Sequence, residues 1–174
     1  RPQAWKQQLG GGGYGGFSGS DQAIDGWMIG RDMRLGNAIA GFAFGETRAD
    51  SRRDGSRDRG RDRQAQSLLY AGLSNGSAYL LGQAGFGRFD RQLERHLFTG
   101  QRSMGVFSSY AGDFMTASLE SGYRFGSAGA GITPYVGAEY TRIESDGFNE
   151  LGGDGLGLRA DAWTSSRSQA IAGL

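Results

Sequence analysis

GDFMTASLESGYRFGSAGAGITPYVGAEYTR, residues Gly112 to Arg142, alternates between an oily side and a polar one. Met115, Ala117, Leu119, Tyr123 and Phe125 fall on one face, and Thr116, Ser118, Glu120, Gly122 and Arg124 on the other. Side chains of a strand alternate faces with a period of two, so this is a ribbon with one apolar side. After a Gly/Ala/Ser turn the pattern resumes, with Val136, Ala138 and Tyr140 opposing Tyr135, Gly137, Glu139 and Thr141. A soluble sandwich alternates in the same way. What separates the two cases is the polar face, which mixes both charge signs with glycine, and the aromatics near the ends of the oily face.

The totals narrow the class. A chain of 174 residues suits one domain, and 33 scattered glycines without a G-X-Y period exclude collagen. Glycine at that frequency argues against helices, where each one costs about 1 kcal/mol relative to alanine. Two prolines and 37% hydrophobic residues argue against a disordered tail. A net charge of +1 gives no bulk electrostatic case for nucleic acid, and the absence of cysteine rules out disulfides and thiolate metal sites. No run reaches the ~18 apolar residues of a membrane helix. A membrane β-barrel needs only about 9–11 residues per strand, half of them polar, so a negative mean hydropathy does not count against it.

Outward from the opening stretch, further strands are expected at 4–16, 26–35, 38–48, 64–73, 78–94 and 156–174. In the second, Trp27, Ile29, Met33 and Leu35 oppose Met28, Gly30, Asp32 and Arg34, and Arg31 falls on the oily face. In the third, Ala40, Phe42 and Phe44 oppose Gly41, Ala43, Gly45 and Thr47. In the fourth, Leu69, Ala71 and Leu73 oppose Gln64, Gln66, Tyr70 and Gly72. In the last, Leu156, Leu158, Ala160 and Ala162 are expected to oppose Gly157, Arg159, Asp161 and Trp163. Gly36-Asn37 and Asn75-Gly76 are tight-turn signals. Longer excursions are expected at 18–25, 49–63, 95–111 and 145–155, the third either a loop or a continuation of strand structure through Met104, Val106 and Phe107. The second of these, ADSRRDGSRDRGRDR, reads better as a solvated loop than as an anion- or nucleic-acid-binding patch, because aspartates interrupt its arginines. Short turns at one end and long loops at the other are the signature of an antiparallel up-and-down transmembrane β-barrel.

With these residues in place, the chain resembles the translocator β-domain of an autotransporter, the type V secretion family. The likeness runs through the Trp5–Gly16 strand, Gly26-Trp27-Met28-Ile29-Gly30-Arg31-Asp32, Ala40-Gly41-Phe42-Ala43-Phe44-Gly45, Leu69-Tyr70-Ala71-Gly72, Tyr79 to Arg95, and Glu120-Ser121-Gly122-Tyr123-Arg124-Phe125 with Pro134 and Tyr140. The resemblance implies an all-β barrel of the bacterial cell outer membrane that supports export of an N-terminal passenger. Its implied partners are outer-membrane lipid, its own passenger and linker segment, and the outer-membrane assembly machinery; no cofactor is implied. Such barrels have twelve strands and end in an aromatic residue, whereas about eight strands are counted here. Residues 1–174 are therefore expected to be a partial, C-terminally truncated barrel domain without its passenger.

If the oily face meets lipid, the polar face lines a lumen, and Asp32, Arg34, Arg88, Glu120, Arg124, Glu139, Arg159 and Asp161 are expected to point into it. The resemblance implies that they surround the linker that threads the passenger outward. The plainer reading is a hydrated salt-bridge network that only supports barrel shape. Gly41, Gly45, Gly122 and Gly137 are expected to leave room and permit bending. Enzyme readings fare badly. The single histidine, His96, with Ser103 downstream, makes a chance Ser/His pair, and Gly152-Gly153-Asp154-Gly155 is more simply a turn than a calcium site. The competing function is a structural or adhesive outer-membrane barrel whose loops bind a surface partner.

Overall fold

Gly36 and Gly76 both have φ of 63°, which a glycine adopts without the clash a Cβ would cause. Each sits in a two-residue turn that folds the chain back on itself, between paired Leu35 and Ala38 and between paired Asn75 and Ala78. The turns are laced to their neighbours at this end. Ser74 N–H donates to Asn37 O at 2.9 Å, and Arg124 N–H donates to Ser77 O at 2.7 Å. The computed structural model of the chain describes residues 2–15, 20–53, 58–99, 102–127 and 130–174.

The meander begins with β1 (Pro2–Gly15), β2 (Ser20–Leu35), β3 (Ala38–Arg53), β4 (Arg59–Asn75), β5 (Ala78–Thr99) and β6 (Arg102–Tyr123). A small hairpin follows, of β7 (Phe125–Ser127) and β8 (Ala130–Ile132), and then β9 (Tyr135–Ser145). Three two-residue strands come next: β10 (Phe148–Asn149), β11 (Leu151–Gly152) and β12 (Arg159–Ala160). The last strand is β13 (Trp163–Gly173). Eight long strands pair antiparallel in the order β1-β2-β3-β4-β5-β6-β9-β13, and β11 joins the same sheet by pairing with β6. The sheet is open: among the described residues β1 and β13 do not pair with each other.

The register assigns every side chain to a face. Ile29, Phe44, Ser67, Phe86 and Met115 are successive partners on one face, and Asp32, Gly41, Tyr70, Gln83, Ser118 and Glu139 on the other. Phe42, Leu69, Phe86 and Leu119 are about half exposed on the first face. The buried Ala43, Val106, Ser108 and Ser145 all lie on the second. In β6 the burial alternates residue by residue from Phe114 to Gly122, with the even, polar side the less exposed. A single sheet protects one face in this way by curling toward it, so the polar face is the concave, inner one.

β9 and β13 are each 11 residues long, and β9 pairs with Gly112–Gly122. At ~3.3 Å per residue and a tilt near 45° this spans about 25 Å, the height of an apolar membrane band. β5 and β6, at 22 residues each, rise well beyond that wall. The segment expected as a loop at 49–63 is therefore corrected where it is described: Ala38–Arg53 pairs with Arg59–Asn75, and residues 54–57 lie outside those described. At 95–111 the strand alternative holds, with Thr99 pairing back to Arg102 and residues 100–101 outside those described. Their composition suits loops, but the ladder started in the wall continues upward and supplies their hydrogen bonds. The turn chemistry expected from 18 likewise gives way to β2 at Ser20, and residues 16–19 lie outside those described. The turn expected at 127–131 also falls partly outside them, between the paired Ser127 and Ala130.

The strand expected from Leu156 begins instead at Trp163. Residues 146–162 form a folded loop over the inner face of the β5–β6 extension. Phe148 stacks on Tyr110 with centroids 5.2 Å apart, and Leu151 and Gly152 pair with Phe107 and Val106. Arg95 grips Glu150 through Nη2 at 2.7 Å to both carboxylate oxygens, and Leu158 N–H donates to Oε2 at 2.8 Å. The Glu150 side chain is only 3% exposed. That burial alone pushes its carboxyl up, but the Arg95 and Leu158 hydrogen bonds and the Arg95 charge outweigh it and set the acid below its ordinary range. Because the folded value is the lower one, this clamp stabilises the loop fully above the ordinary glutamate range and loses its effect as pH falls through the folded value. Amide-exchange protection at Glu150 and Leu158 is expected to be flat from neutral pH to about pH 5 and to fall in stronger acid. Arg95→Gln should cost the loop about 1–3 kcal/mol at neutral pH and flatten that dependence.

Candidate functional site: the inner wall

A glycine on the inner face lacks a side chain, and each of six is covered by an aromatic ring from its directly paired neighbour. Trp5 lies over Gly30, Tyr70 over Gly41, Tyr79 over Gly122, Phe114 over Gly87, Phe89 over Gly112 and Tyr135 over Gly173. A Cβ added at Gly41 would meet Tyr70 Cζ at 2.5 Å, and one at Gly30 would meet Trp5 Cζ2 at 2.5 Å. Gly41 and Gly122 were expected to leave room. They are seats for tyrosine rings instead, which restores the packing surface a glycine strand lacks.

The seated rings carry their polar ends to charged groups. Trp5 Nε1–H donates to the Tyr70 hydroxyl at 3.1 Å, and that hydroxyl donates to Asp32 Oδ2 at 3.2 Å. One chain of hydrogen bonds thus ties β1, β4 and β2 across the Gly41 seat of β3. The Tyr79 hydroxyl donates to Glu120 Oε1 at 2.8 Å, and Gln169 Nε2–H donates to Glu139 Oε2 at 3.0 Å. A hollow of about 520 Å³ at the turn end is lined by Arg34, Tyr79, Leu81 and Glu120. The wall is therefore polar and charged, with its acids held by neutral hydroxyl and amide donors.

Of the residues expected on this wall, Asp32, Arg34, Glu120 and Glu139 lie on the inner face. Arg124 lies just past the end of β6, where its N–H joins the turn lacing. Three expectations are corrected. Arg88 is paired with Ala65 and Asp113 on the outer face, in phase with Phe86, because β5 carries phenylalanines on both sides and hydrophobicity alone does not fix its phase. Arg159 and Asp161 belong to the folded loop rather than to a wall strand, and pair loosely with each other at 3.9 Å. Tyr70, Tyr79, Trp5 and Gln169 were not singled out from the sequence. The signal that finds them is an aromatic or amide on the polar face directly across from a glycine or an acid, which requires the register.

Above the wall, Arg91 grips Asp62 at 2.6 and 2.9 Å and reaches the Tyr110 hydroxyl at 3.3 Å. The Asp62 hydrogen bonds hold its guanidinium more firmly protonated, against the opposing effect of burial. His96 Nδ1 lies 4.0 Å from Asp58, and among the described residues no hydrogen bond joins His96 to Ser103, which pairs with Phe98. Among the described residues no group of three His, Cys, Asp or Glu could hold a metal ion.

The ring-over-glycine seats predict a strong coupling. Gly41→Ala should destabilise the folded protein in detergent by about 1–3 kcal/mol, through overpacking against Tyr70. In a Tyr70→Ala background the same change should be close to neutral. Urea midpoints for the four proteins of this cycle check it, and additive effects would show that the seat does not exist.

The family model "Autotransporter beta-domain" matches residues 4–174. Among curated proteins none matches. Among solved structures, the translocator domain of the autotransporter NalP from Neisseria meningitidis superposes with a TM-score of 0.76 at 20% identity, covering 98% of this chain and 59% of that one. The beta domain of the Bordetella autotransporter Brka gives a TM-score of 0.64 at 20% identity, covering 98% and 80%. The ferric yersiniabactin uptake receptor FyuA from Yersinia pestis gives 0.56 at 11% identity, covering 88% of this chain but only 25% of that one. The chain thus spans 59% of the length of the NalP domain, and its open sheet follows part of that architecture. With the family matched over nearly its whole length, the chain belongs to the autotransporter beta-domain family, whose place is the bacterial outer membrane.

Proposed function

We propose that this chain forms part of the wall of an outer-membrane translocator barrel that supports export of a passenger attached to the same polypeptide. The observation that carries the reading is the two-faced sheet. Its outer face is apolar from Leu35, Leu73 and Leu80 up to Phe44, Phe86 and Met115, interrupted by Arg31, and its inner face carries Asp32, Glu120 and Glu139 with their charges held by tyrosine and glutamine. An extended linker sliding along such a wall meets polar groups that exchange hydrogen bonds readily. The edges of β1 and β13 need partners in a bilayer, where unpaired backbone groups cost several kcal/mol each. Further strands of the parent protein supply them. Recognition by the outer-membrane assembly machinery belongs to the same proposal.

The short turns at Gly36-Asn37 and Gly76-Ser77 face the periplasm in this reading, and the extended β3–β6 hairpins and the 146–162 loop face outward. The loop folds over the inner face and narrows the outer mouth. In the full-length protein, single cysteines at Glu120 or Glu139 are expected to cross-link to the linker during export. Cysteines at Arg88 or Met115 are expected to react only with membrane- or headgroup-side reagents. Cross-links from Arg88 but not Glu120 would invert the wall and defeat the proposal.

A further inference from the structure

Arg31 interrupts the apolar outer face, and the register sets no acid beside it. Its direct partners are Ala4 on β1 and Phe42 on β3, and its diagonal neighbours are Pro2, Lys6, Ala40 and Phe44. The one charged group among them is a second cation. Lys6 shares the outer face with Arg31, stands opposite Ile29, and has Trp27 and Arg31 as its own diagonals. The next acids along this face are Asp25 and Glu46. Asp25 lies roughly 13 Å up β2 from Ile29 and stands opposite Arg48, while Glu46 holds both Arg48 and Arg63 at 3.0 Å. Arg142, on the same face of β9, differs in having its own acid, Glu144. Among the described residues neither Lys6 nor Arg31 forms an ion pair.

An open groove of about 490 Å³ runs beside these two cations, lined by Lys6, Arg31, Ile29, Phe42 and Phe44, and its lining holds no acid. Phe42 and Phe44 are nearly half exposed there. Cations beside an apolar lip suit an anion carried on an amphiphile. Depth supports the same ligand. Arg31 is four positions from Leu35 at the short turn, so at a 45° tilt it stands about 9 Å inside that end of the apolar band. A long basic side chain at this depth lays its stem along the apolar surface and carries its head to the nearby interface.

We propose that Lys6 and Arg31 hold the phosphodiester of an anionic glycerophospholipid in the leaflet at the short-turn end, with an acyl chain over Phe42 and Phe44. The inference rests on the membrane-spanning reading given above, with the short turns periplasmic. A guanidinium fork takes the two free oxygens of a phosphodiester, and the lysine ammonium adds a point charge on a flexible stem. One phosphate thus offsets the repulsion between two cations that no acid separates. The same lack of an acid selects the headgroup. The ammonium of a zwitterionic phosphatidylethanolamine finds no partner here and meets two like charges.

The test uses the full-length protein in phosphatidylcholine bilayers, titrated with phosphatidylglycerol that carries a photocross-linker on its acyl chain. Cross-links are expected at Phe42 and Phe44. The lipid fraction giving half-maximal cross-linking should rise about fivefold in Arg31→Gln and about twentyfold in Lys6→Gln/Arg31→Gln, as the usual contribution of basic groups at a membrane surface requires. Arg142→Gln should leave it unchanged. Phosphatidylethanolamine with the same label should react with the unaltered protein no better than phosphatidylglycerol does with the double variant. Soluble glycerophosphate should not compete. Heat-modifiable gel migration confirms that each variant is folded, and if the double variant is not, Arg31→Gln alone decides. Unchanged half-saturation in a folded variant, equal loss in Arg142→Gln, equal labelling by phosphatidylethanolamine, or full competition by glycerophosphate would each overturn the proposal. So would a loss of thermal stability with lipid labelling intact, which assigns the two cations to an acid on the strand beyond β1. The linker cross-links at Glu120 and Glu139 lie on the opposite face. Their presence without lipid at Phe42 defeats this inference alone, and their absence beside intact lipid labelling defeats the translocator reading alone.

Discussion

Backbone hydrogen bonding in a medium without water is the constraint on which this structure depends. A bilayer core offers no substitute partner for an N–H or C=O group, so every strand that crosses it must be paired along its whole length. Between its two open edges, the ladder from β1 through β6 to β9 and β13 meets that demand without interruption. It also explains how a chain with 33 glycines holds strands at all. Intrinsic strand preference does little where glycine is frequent, whereas continuous pairing is compulsory. The ring-over-glycine seats on the inner face then return packing that glycine withholds, with Tyr70 on Gly41 and Tyr79 on Gly122 as the clearest pairs.

The parts of the fold that the sequence makes legible are those governed by period two. The faces of the strands around Trp27, Phe42, Leu69, Met115 and Val136 follow from alternation alone, because that rule acts within a few residues. The upper hairpins do not follow from it. Arg, Asp, Ser and Gly at 49–53 and 59–63 have the composition of a loop, and become strand only because β3 and β4 are already in register below. The loop at 146–162 misleads in the opposite way. Leu156, Leu158, Ala160 and Ala162 imitate an apolar face, but Gly153 and Gly155 have φ of 75° and 90°, which bends the chain into a 3₁₀ turn there.

The same distinction divides the inner wall. Asp32, Glu120 and Glu139 were placeable because each sits within a clean alternation. Arg88 was not, since Phe86 and Phe89 fall on opposite faces of one strand and leave its phase open. The partners that define the chemistry of the wall were hidden for a related reason. Tyr70 is 38 residues from Asp32, and Tyr79 is 41 residues from Glu120. Only the pairing register brings them together, and no local pattern announces it.

Register therefore carries more than shape in this protein. A slip of one residue between β3 and β4 would exchange their faces. Asp62 would then leave Arg91, the arginines of β4 would turn to the inner face, and Tyr70 would swing from its Gly41 seat to the outer face. The two-residue turn closed by Asn75 and Ala78, and the lacing of the neighbouring turns through Asn37 and Ser77, pin the strands at one end. The Tyr70–Asp32 and Arg91–Asp62 contacts penalise a slip higher up. One geometric choice, fixed near the turns and checked along the strands, thus decides at once which side chains share the outer face, which share the inner face and where the charges of the upper hairpins point.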